Sequence, residues 1–454
     1  MLVEGERIVA LGSGPPPAVD HVVDLGGRTV LPGFIDSHVH LLFTGMGQSA
    51  AALQGATTPA EVCDRMRAAP AGRWARGFGF DLEMTWEGLP EDRPALLERI
   101  DHHSAVVNRR AATLLADDGI AVSPQGRVSG LDFGRTLAHV YRELGEDVKL
   151  DALRQAARNA LRQGVTTIHA LEGGHFFSRR DLELVVEHDR DLGPRLLVYP
   201  QVPDVAYVRS LGLPRLGGCL LLDGSLGSRT ARLEEPYADA PQERGLQYLS
   251  DEDLQRLVGE AHRHGLQLAF HAIGDAAVRQ AVEAYRTLGS CHALRHRIEH
   301  CELASPGSLE TIAHLGIHLG IQPQFEALWG GPGRMYEQRL GAPRMARTNP
   351  FRWYLDHAIP CGGGSDSDVT PLDPLLGIQA ATSHPRTDQR LSVDEAIELF
   401  TAGSARLGHD ENRVGTLQPG LQADFVVLGE DPHAANRIAD IPIDQVWVAG
   451  RQVV

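Results

Sequence analysis

The chain has 454 residues, 43% of them hydrophobic and 22% charged, which is enough to bury the core of one large barrel with an appended domain. Its net charge of −16 argues against nucleic acid or an anionic membrane as partner, because neutralising phosphate needs a basic face. No apolar run of roughly 18 residues exists, so no spanning helix is expected, and the five cysteines are odd in number and lack Cys-x-x-Cys spacing, which excludes a disulfide framework. Met1–Glu6 has neither a basic nor an apolar leader pattern, and the expected location is cytoplasmic.

In chain order, Glu6–Val30 carries short strand-like pieces such as His21–Leu25. The run Val30-Leu31-Pro32-Gly33-Phe34-Ile35-Asp36-Ser37-His38-Val39-His40 then leaves a Pro-Gly turn and ends in His-x-His. Residues two apart on a strand point to the same side. His38 and His40 are therefore aimed side by side from one strand end, as a chelated metal requires. Residues 45–145, with Trp74, Trp86 and several Gly and Pro, do not fit a simple βα unit. They are expected to form an insertion over the barrel mouth that shapes a substrate pocket.

Strand and helix patterns alternate from about residue 146. Asp147–Arg162 has helical periodicity and stops at Gly164. Val165–Leu171 is a β-branched strand, Ser178–Leu192 a helix, Arg195–Val202 a strand, and Cys219–Leu222 a short apolar run. Ser250 caps an expected helix Asp251–His264. Leu266–His271 follows as a strand, then the helix Ala276–Leu288, then strands at Arg295–His300, Ile317–Gln322 and Ile359–Ser365. With Phe34–His40 this makes eight strands, the order of an α/β fold of the (β/α)8 TIM-barrel type. The expected division is a barrel over 32–409 and a small β-sandwich domain built from both termini, 1–31 and 410–454.

Catalytic groups of such a barrel gather at the C-terminal strand ends. His38 and His40, His271, His300 and Asp366 end predicted strands one, five, six and eight. Each alone is compatible with a hydrogen-bonded core residue. Together they form a nitrogen and oxygen donor set that suits a divalent metal, Zn2+ first and also Mn, Fe or Co. A metal there acidifies a water and polarises a carbonyl. Asp366 is the candidate proton acceptor and donor, and His300 a second metal ligand or a stabiliser of the developing oxyanion.

The motifs Val30–His40, Asp223–Pro236, His271–Ala276, Arg295–His300, Ile321–Pro323, Gly363–Asp366 and Gly415–Leu428 resemble the amidohydrolase superfamily, in its amidohydrolase-3 (YtcJ-like) branch. Asp101–Asn108 resembles a further motif, with His103 at its histidine. The resemblance spans nearly the whole chain. It implies metal-dependent hydrolysis at a barrel rim, usually of a C–N bond, on a small-molecule substrate. His103 and Arg229, the latter from the Gly/Ser-rich run Ser225–Thr230, are candidate substrate-binding residues.

One position departs from the family. Its pattern has a lysine four residues before Asp223-Gly224, carbamylated and bridging two metals, where this chain has Cys219. No carbamylated lysine is expected, because a thiol cannot hold the carbamate. Three accounts are open. Cys219 is inert core beside a single metal. Glu172, at the end of strand two, bridges two metals in its place, near where D-aminoacylases place a bridging Cys. Or Cys219 itself moves in as a ligand through a backbone adjustment. The leading function is hydrolysis of an N-acyl, N-formyl or cyclic amide. The alternative is a mononuclear deaminase of a heterocycle, although Ile273 and Gly274 stand where a deaminase has its glutamate. A catalytically dead binding protein is the third class. A homo-oligomer stays open.

Overall fold

In a computed structural model that describes residues 1–14, 17–174 and 178–454, the alternating segments form eight parallel strands. These are β1 (Phe34–Val39), β2 (Val165–Glu172), β3 (Arg195–Pro200), β4 (Arg215–Leu221), β5 (Gln267–Ala272), β6 (Arg297–His300), β7 (His318–Ile321) and β8 (Cys361–Gly363). They are hydrogen-bonded in two runs, β3-β2-β1 and β4-β5-β6-β7-β8. Past β8, a parallel bridge pairs Ser367 with Val39 of β1. The Asp366 amide also donates to the His38 carbonyl at 2.8 Å. Leu171, Leu197, Tyr199, Ala269 and Cys219, from β2 to β5, pack into one apolar cluster.

The strands are buried along their length, as parallel strands covered by helices are. The helices between them follow the sequence signals closely. Glu146–Arg162 ends just before Gly164, whose φ is +75°. In Asp251–Arg263 the Ser250 side chain accepts from the Asp253 amide. Strand edges moved more. The expected strand at Cys219–Leu222 begins four residues earlier, at Arg215, and Ile359–Ser365 contracts to Cys361–Gly363.

The insertion carries its own sheet, five strands in the order Ala51–Ala52, Ala75–Phe80, Ala95–Arg99, Ser104–Val107, Arg127–Ser129. A separate apolar cluster supports it, including Leu53, Val62, Met66, Phe80, Leu97 and Val106. The termini meet in a four-stranded antiparallel sheet. Thr29–Pro32 pairs with Phe425–Leu428, which pairs with Ile443–Val448, and Arg451–Gln452 forms the far edge. The expected strand at His21–Leu25 is irregular chain; the N-terminal strands are Leu2–Glu4 and Arg7–Ala10. Among the described residues no helix is long and apolar enough to cross a membrane.

Candidate metal centre

The strand ends converge as the sequence implies. His38 and His300 rings lie 4.9 Å apart, and His271 and His300 4.4 Å apart. Asp366 Oδ1 sits between the first pair of histidines, 3.3 Å from His38 Nε2 and 3.2 Å from His40 Nε2. His300 and Asp366 both adopt left-handed backbone, with φ of 69° and 55°. Such conformations are uncommon for these residue types and recur at functional sites.

Three side-chain groups can each offer ligand atoms lying within 4.8 Å of one another: His38, His40 and Cys219; Cys219, His271 and His300; His38, His300 and Asp366. Cys219 belongs to two of them. This matches the account in which Cys219 itself moves in as a ligand through a backbone adjustment, and the reason lies in β4. Gly217 pairs with Ala269, but the next pair in the ladder is Leu220 with Phe270. Gly218 and Cys219 are left over on β4 as a bulge. Gly217 and Gly218 have φ of +101° and +85°, which glycine adopts freely. A Cβ on Gly217 would lie 2.0 Å from the Ala269 carbonyl oxygen, and one on Gly218 2.5 Å from Leu171 Cγ. The bulge re-aims the thiol into the ring of histidines. Burial favours the neutral thiol, yet the charge of His271 and the rings of His300, His38 and His40 around it bring it well below its ordinary range. The thiolate is the form that ligates metals.

Glu172 stands elsewhere than expected. Its Oε1 accepts from the Leu41 and Leu42 amides at 2.8 and 3.4 Å. The carboxylate closes the N-terminus of the helix Leu41–Gly47 and fixes the chain just past His40. Burial raises its pKa to about 7. It joins none of the three ligand groups.

The histidines have supporting partners that sequence reasoning missed. His38 Nδ1 lies 2.8 Å from Glu299 Oε2, and Arg297, fully buried, donates to that same oxygen at 2.9 Å and to the Ser37 carbonyl at 3.0 Å. Arg297 and Glu299 are two apart on β6 and share a side, a signal available in the sequence. A carboxylate on the far nitrogen fixes the tautomer and leaves Nε2 bare for a metal. His271 Nδ1 faces Asp223 Oδ1 at 3.2 Å, while Asp223 also accepts from the Ile273 and Gly274 amides. His40 Nδ1 faces the Leu171 carbonyl at 3.2 Å.

The donor set fits a metal on the molecule's own terms. His38 Nε2 and both ring nitrogens of His300 are buried and satisfy no hydrogen bond among the described residues. Buried polar atoms are otherwise nearly always paired. Burial and the charge of His271 lower the His300 pKa to about 4, so its ring is neutral and free to coordinate. Burial pushes the Asp366 carboxyl up, but the His38 and His40 rings against it hold it well below its ordinary range.

A cleft open to solvent reaches His271, His300 and Asp366. His103 lines it, with its ring 5.4 Å from that of His271. Arg229 does not line it. Its Nε and Nη2 are engaged by Asp239 at 3.2 and 2.8 Å, so the expected substrate contact from Arg229 is corrected.

Eight parallel strands carry nitrogen, sulfur and carboxylate donors at one end, a set that could hold a metal ion in an α/β fold. The chain matches the amidohydrolase family over residues 21–454 and belongs to it. It is similar to the Bacillus subtilis protein named "Putative amidohydrolase YtcJ": 30% identical over 461 residues, covering 91% of this chain and 86% of that one. It is also similar to the N-substituted formamide deformylase of Arthrobacter pascens, 23% identical over 530 residues, 99% and 94% of the two chains. Among solved structures, an uncharacterized metal-dependent hydrolase from Pyrococcus horikoshii superimposes with a TM-score of 0.74 at 29% identity, over 91% of this chain and 88% of that one.

Proposed function

We propose that the chain is a metal-dependent hydrolase that cleaves a C–N bond of a small-molecule amide, with two divalent ions that Cys219 would help the histidines to hold. In this reading β1–β8 close as a (β/α)8 barrel over 32–409, with the insertion at about 45–145 and a terminal domain from 1–31 and 410–454. The observation that carries it is the membership of Cys219 in two ligand groups at once. His38 and His40 would hold one ion with the thiolate, His271 and His300 the other, and Asp366 lies against the first pair. Sulfur beside imidazole favours Zn2+.

When bound, the metal supplies an acidified water and a polarising centre for the carbonyl. Asp366 Oδ1 can hold the proton that this water gives up and deliver it to the leaving nitrogen. Glu299 keeps His38 in one tautomer, and Asp223 orients His271. His103, whose pKa burial and the His271 charge lower to about 3, stays neutral and can hydrogen-bond a bound amide. The mononuclear deaminase alternative lacks comparable support, since two ligand groups rather than one surround Cys219.

Elemental analysis alongside turnover of an amide panel tests this. The expected result is close to two ions per chain, activity lost on chelation and indifferent to bicarbonate. Asp366→Asn should keep metal yet lose about 10²–10⁴ in rate, the usual range for acid–base catalysis. Full activity in metal-free protein would overturn the proposal.

A further inference from the structure

The insertion touches the loop that carries Asp366. In its turn Asp101-His102-His103, the first and third residues line the cleft. The middle one, His102, reaches the loop after β8, where its Nε2 lies 2.6 Å from Asp368 Oδ1. Asp368 stands two residues past Asp366.

The contact is well braced. His102 is buried, with φ of +52°, a left-handed conformation that histidine adopts more readily than most side chains. Its ring stacks on Phe78 of the insertion, centroids 4.6 Å apart and planes within 9°. It also lies 4.9 Å from the Phe43 ring in the helix Leu41–Gly47, which follows His40. Glu98 Oε2 stands 3.6 Å from its Nδ1. Burial favours the neutral ring, but the charge and hydrogen bond of Asp368, then Glu98 nearby, raise the His102 pKa to about 10. The bond to Asp368 is charge-assisted, the stronger kind. Gly47 leaves the space that Asp368 fills: a Cβ there would lie 2.3 Å from Asp368 Oδ2.

The loop is tied to β1 through its backbone. The Asp366 amide donates to the His38 carbonyl at 2.8 Å, and the Ser367 carbonyl accepts from the His40 amide at 3.0 Å. Asp366 itself is left-handed, with φ of +55°. Such a conformation persists only where the surroundings over-determine it. His102 supplies a side-chain restraint on the same loop from outside the barrel strands.

Resting on the hydrolase reading, we infer that His102 is a positioning residue: through Asp368 it fixes the loop that carries Asp366, and so couples the aim of that carboxylate to the docked insertion. An acid–base group accelerates a reaction only when held close to the reacting atoms, and a misplacement of about 1 Å can cost about 10²-fold. Metal content should change little, because His38, His40, His271, His300 and Cys219 stand on or beside other strands.

The variants are His102→Asn, His102→Gln, Asp368→Ala and the double variant His102→Asn/Asp368→Ala. Asparagine suits the left-handed backbone but is too short to reach Asp368, whereas glutamine is long enough to donate again. Activity is measured on metal-loaded proteins with the best substrate of the amide panel. His102→Asn should keep its metal and a KM within about threefold of wild type, and lose about 10–100-fold in kcat. His102→Gln should recover most of that loss. The double variant should lose no more than the worse single variant, because the two residues act as one unit. The Val369 amide donates to the Asp366 carbonyl at 2.7 Å, so hydrogen exchange at residues 366–369 should quicken in His102→Asn while the helix Asp251–Arg263 keeps its protection. Wild-type kcat in His102→Asn overturns the inference. So do losses that multiply in the double variant, a loss confined to KM or metal content, or unchanged exchange at 366–369. If the wild type turns over no amide, the hydrolase reading fails, and the exchange result alone upholds or overturns the restraint on the loop. Should His102→Asn not fold, Asp368→Ala carries the same measurements.

Discussion

Replacing Cys219 by alanine removes a donor from two ligand groups at once. What remains is His38 with His40, and His271 with His300, with Asp366 against the first pair. Zinc sites ordinarily draw three or four donors from the protein, so each ion is left short. Deleting a group that only orients a ligand costs about 10–100-fold in metal affinity. Loss of a shared ligand should exceed the upper end of that range, more than about 2.7 kcal/mol per ion. The fold should barely register the change, because the thiol is small and faces the site; metal-free stability should move by no more than about 1 kcal/mol. The assay is stoichiometry after dialysis against a graded chelator, with unfolding of the metal-free proteins as control. Cobalt-loaded wild type should also show a thiolate charge-transfer absorption that the variant lacks. An alanine variant with wild-type metal affinity, together with a wild type lacking that absorption, would return Cys219 to inert core.

Glu299→Gln should weaken metal binding about 10–100-fold through the orientation of His38. It should also lower stability by about 3–5 kcal/mol, because Arg297 is left buried without its counter-charge; metal titration and thermal unfolding read the two effects separately, and an unchanged melting curve would remove Glu299 from this role. Glu172→Gln should leave metal stoichiometry unaltered, since its Oε1 serves the Leu41 and Leu42 amides; a fall in stoichiometry would restore the carboxylate bridge. For acid stability, burial first, then the charge of His262, lowers the His296 pKa from 6.5 to about 3. Below pH 6.5 the unfolded chain binds a proton there that the folded chain does not, so the His296 contribution is complete above 6.5 and disappears as pH falls toward 3. His296→Gln should flatten the decline of melting temperature over that window, and an unchanged slope would show that other groups set it.

The alternation of strands and helices was legible because it rests on local periodicity and on caps such as Ser250, which act over a few residues. His38, His40, His271, His300 and Asp366 were legible for a related reason. A strand end is a one-dimensional address, and in a parallel α/β fold those addresses share one rim. The insertion was harder, because its strands pair in chain order but with mixed direction, parallel and then antiparallel, and the direction of a pairing leaves little trace in a window of residues. His21–Leu25 shows the converse. It has strand composition, but Thr29–Pro32 rather than His21–Leu25 pairs with Phe425–Leu428.

The three accounts of Cys219 stay open in the sequence for a different reason. On a regular strand a thiol is too short to stand where a lysine carbamate would, and only a backbone adjustment brings it in. The preceding pair of glycines changes that premise. Glycine inside a strand marks a bulge or a close backbone approach, and Gly217 and Gly218 provide both. The bulge leaves Cys219 outside the ladder, so backbone displacement compensates for what the shorter side chain lacks. The substitution and the bulge are then one device. A regular strand with Cys219 would leave His38, His40, His271 and His300 without a shared anion, and the bulge with a lysine would drive a long side chain into the space those rings occupy. Restoring the lysine alone should therefore fail to restore the family's carbamate site, because the backbone that would have to carry it has moved.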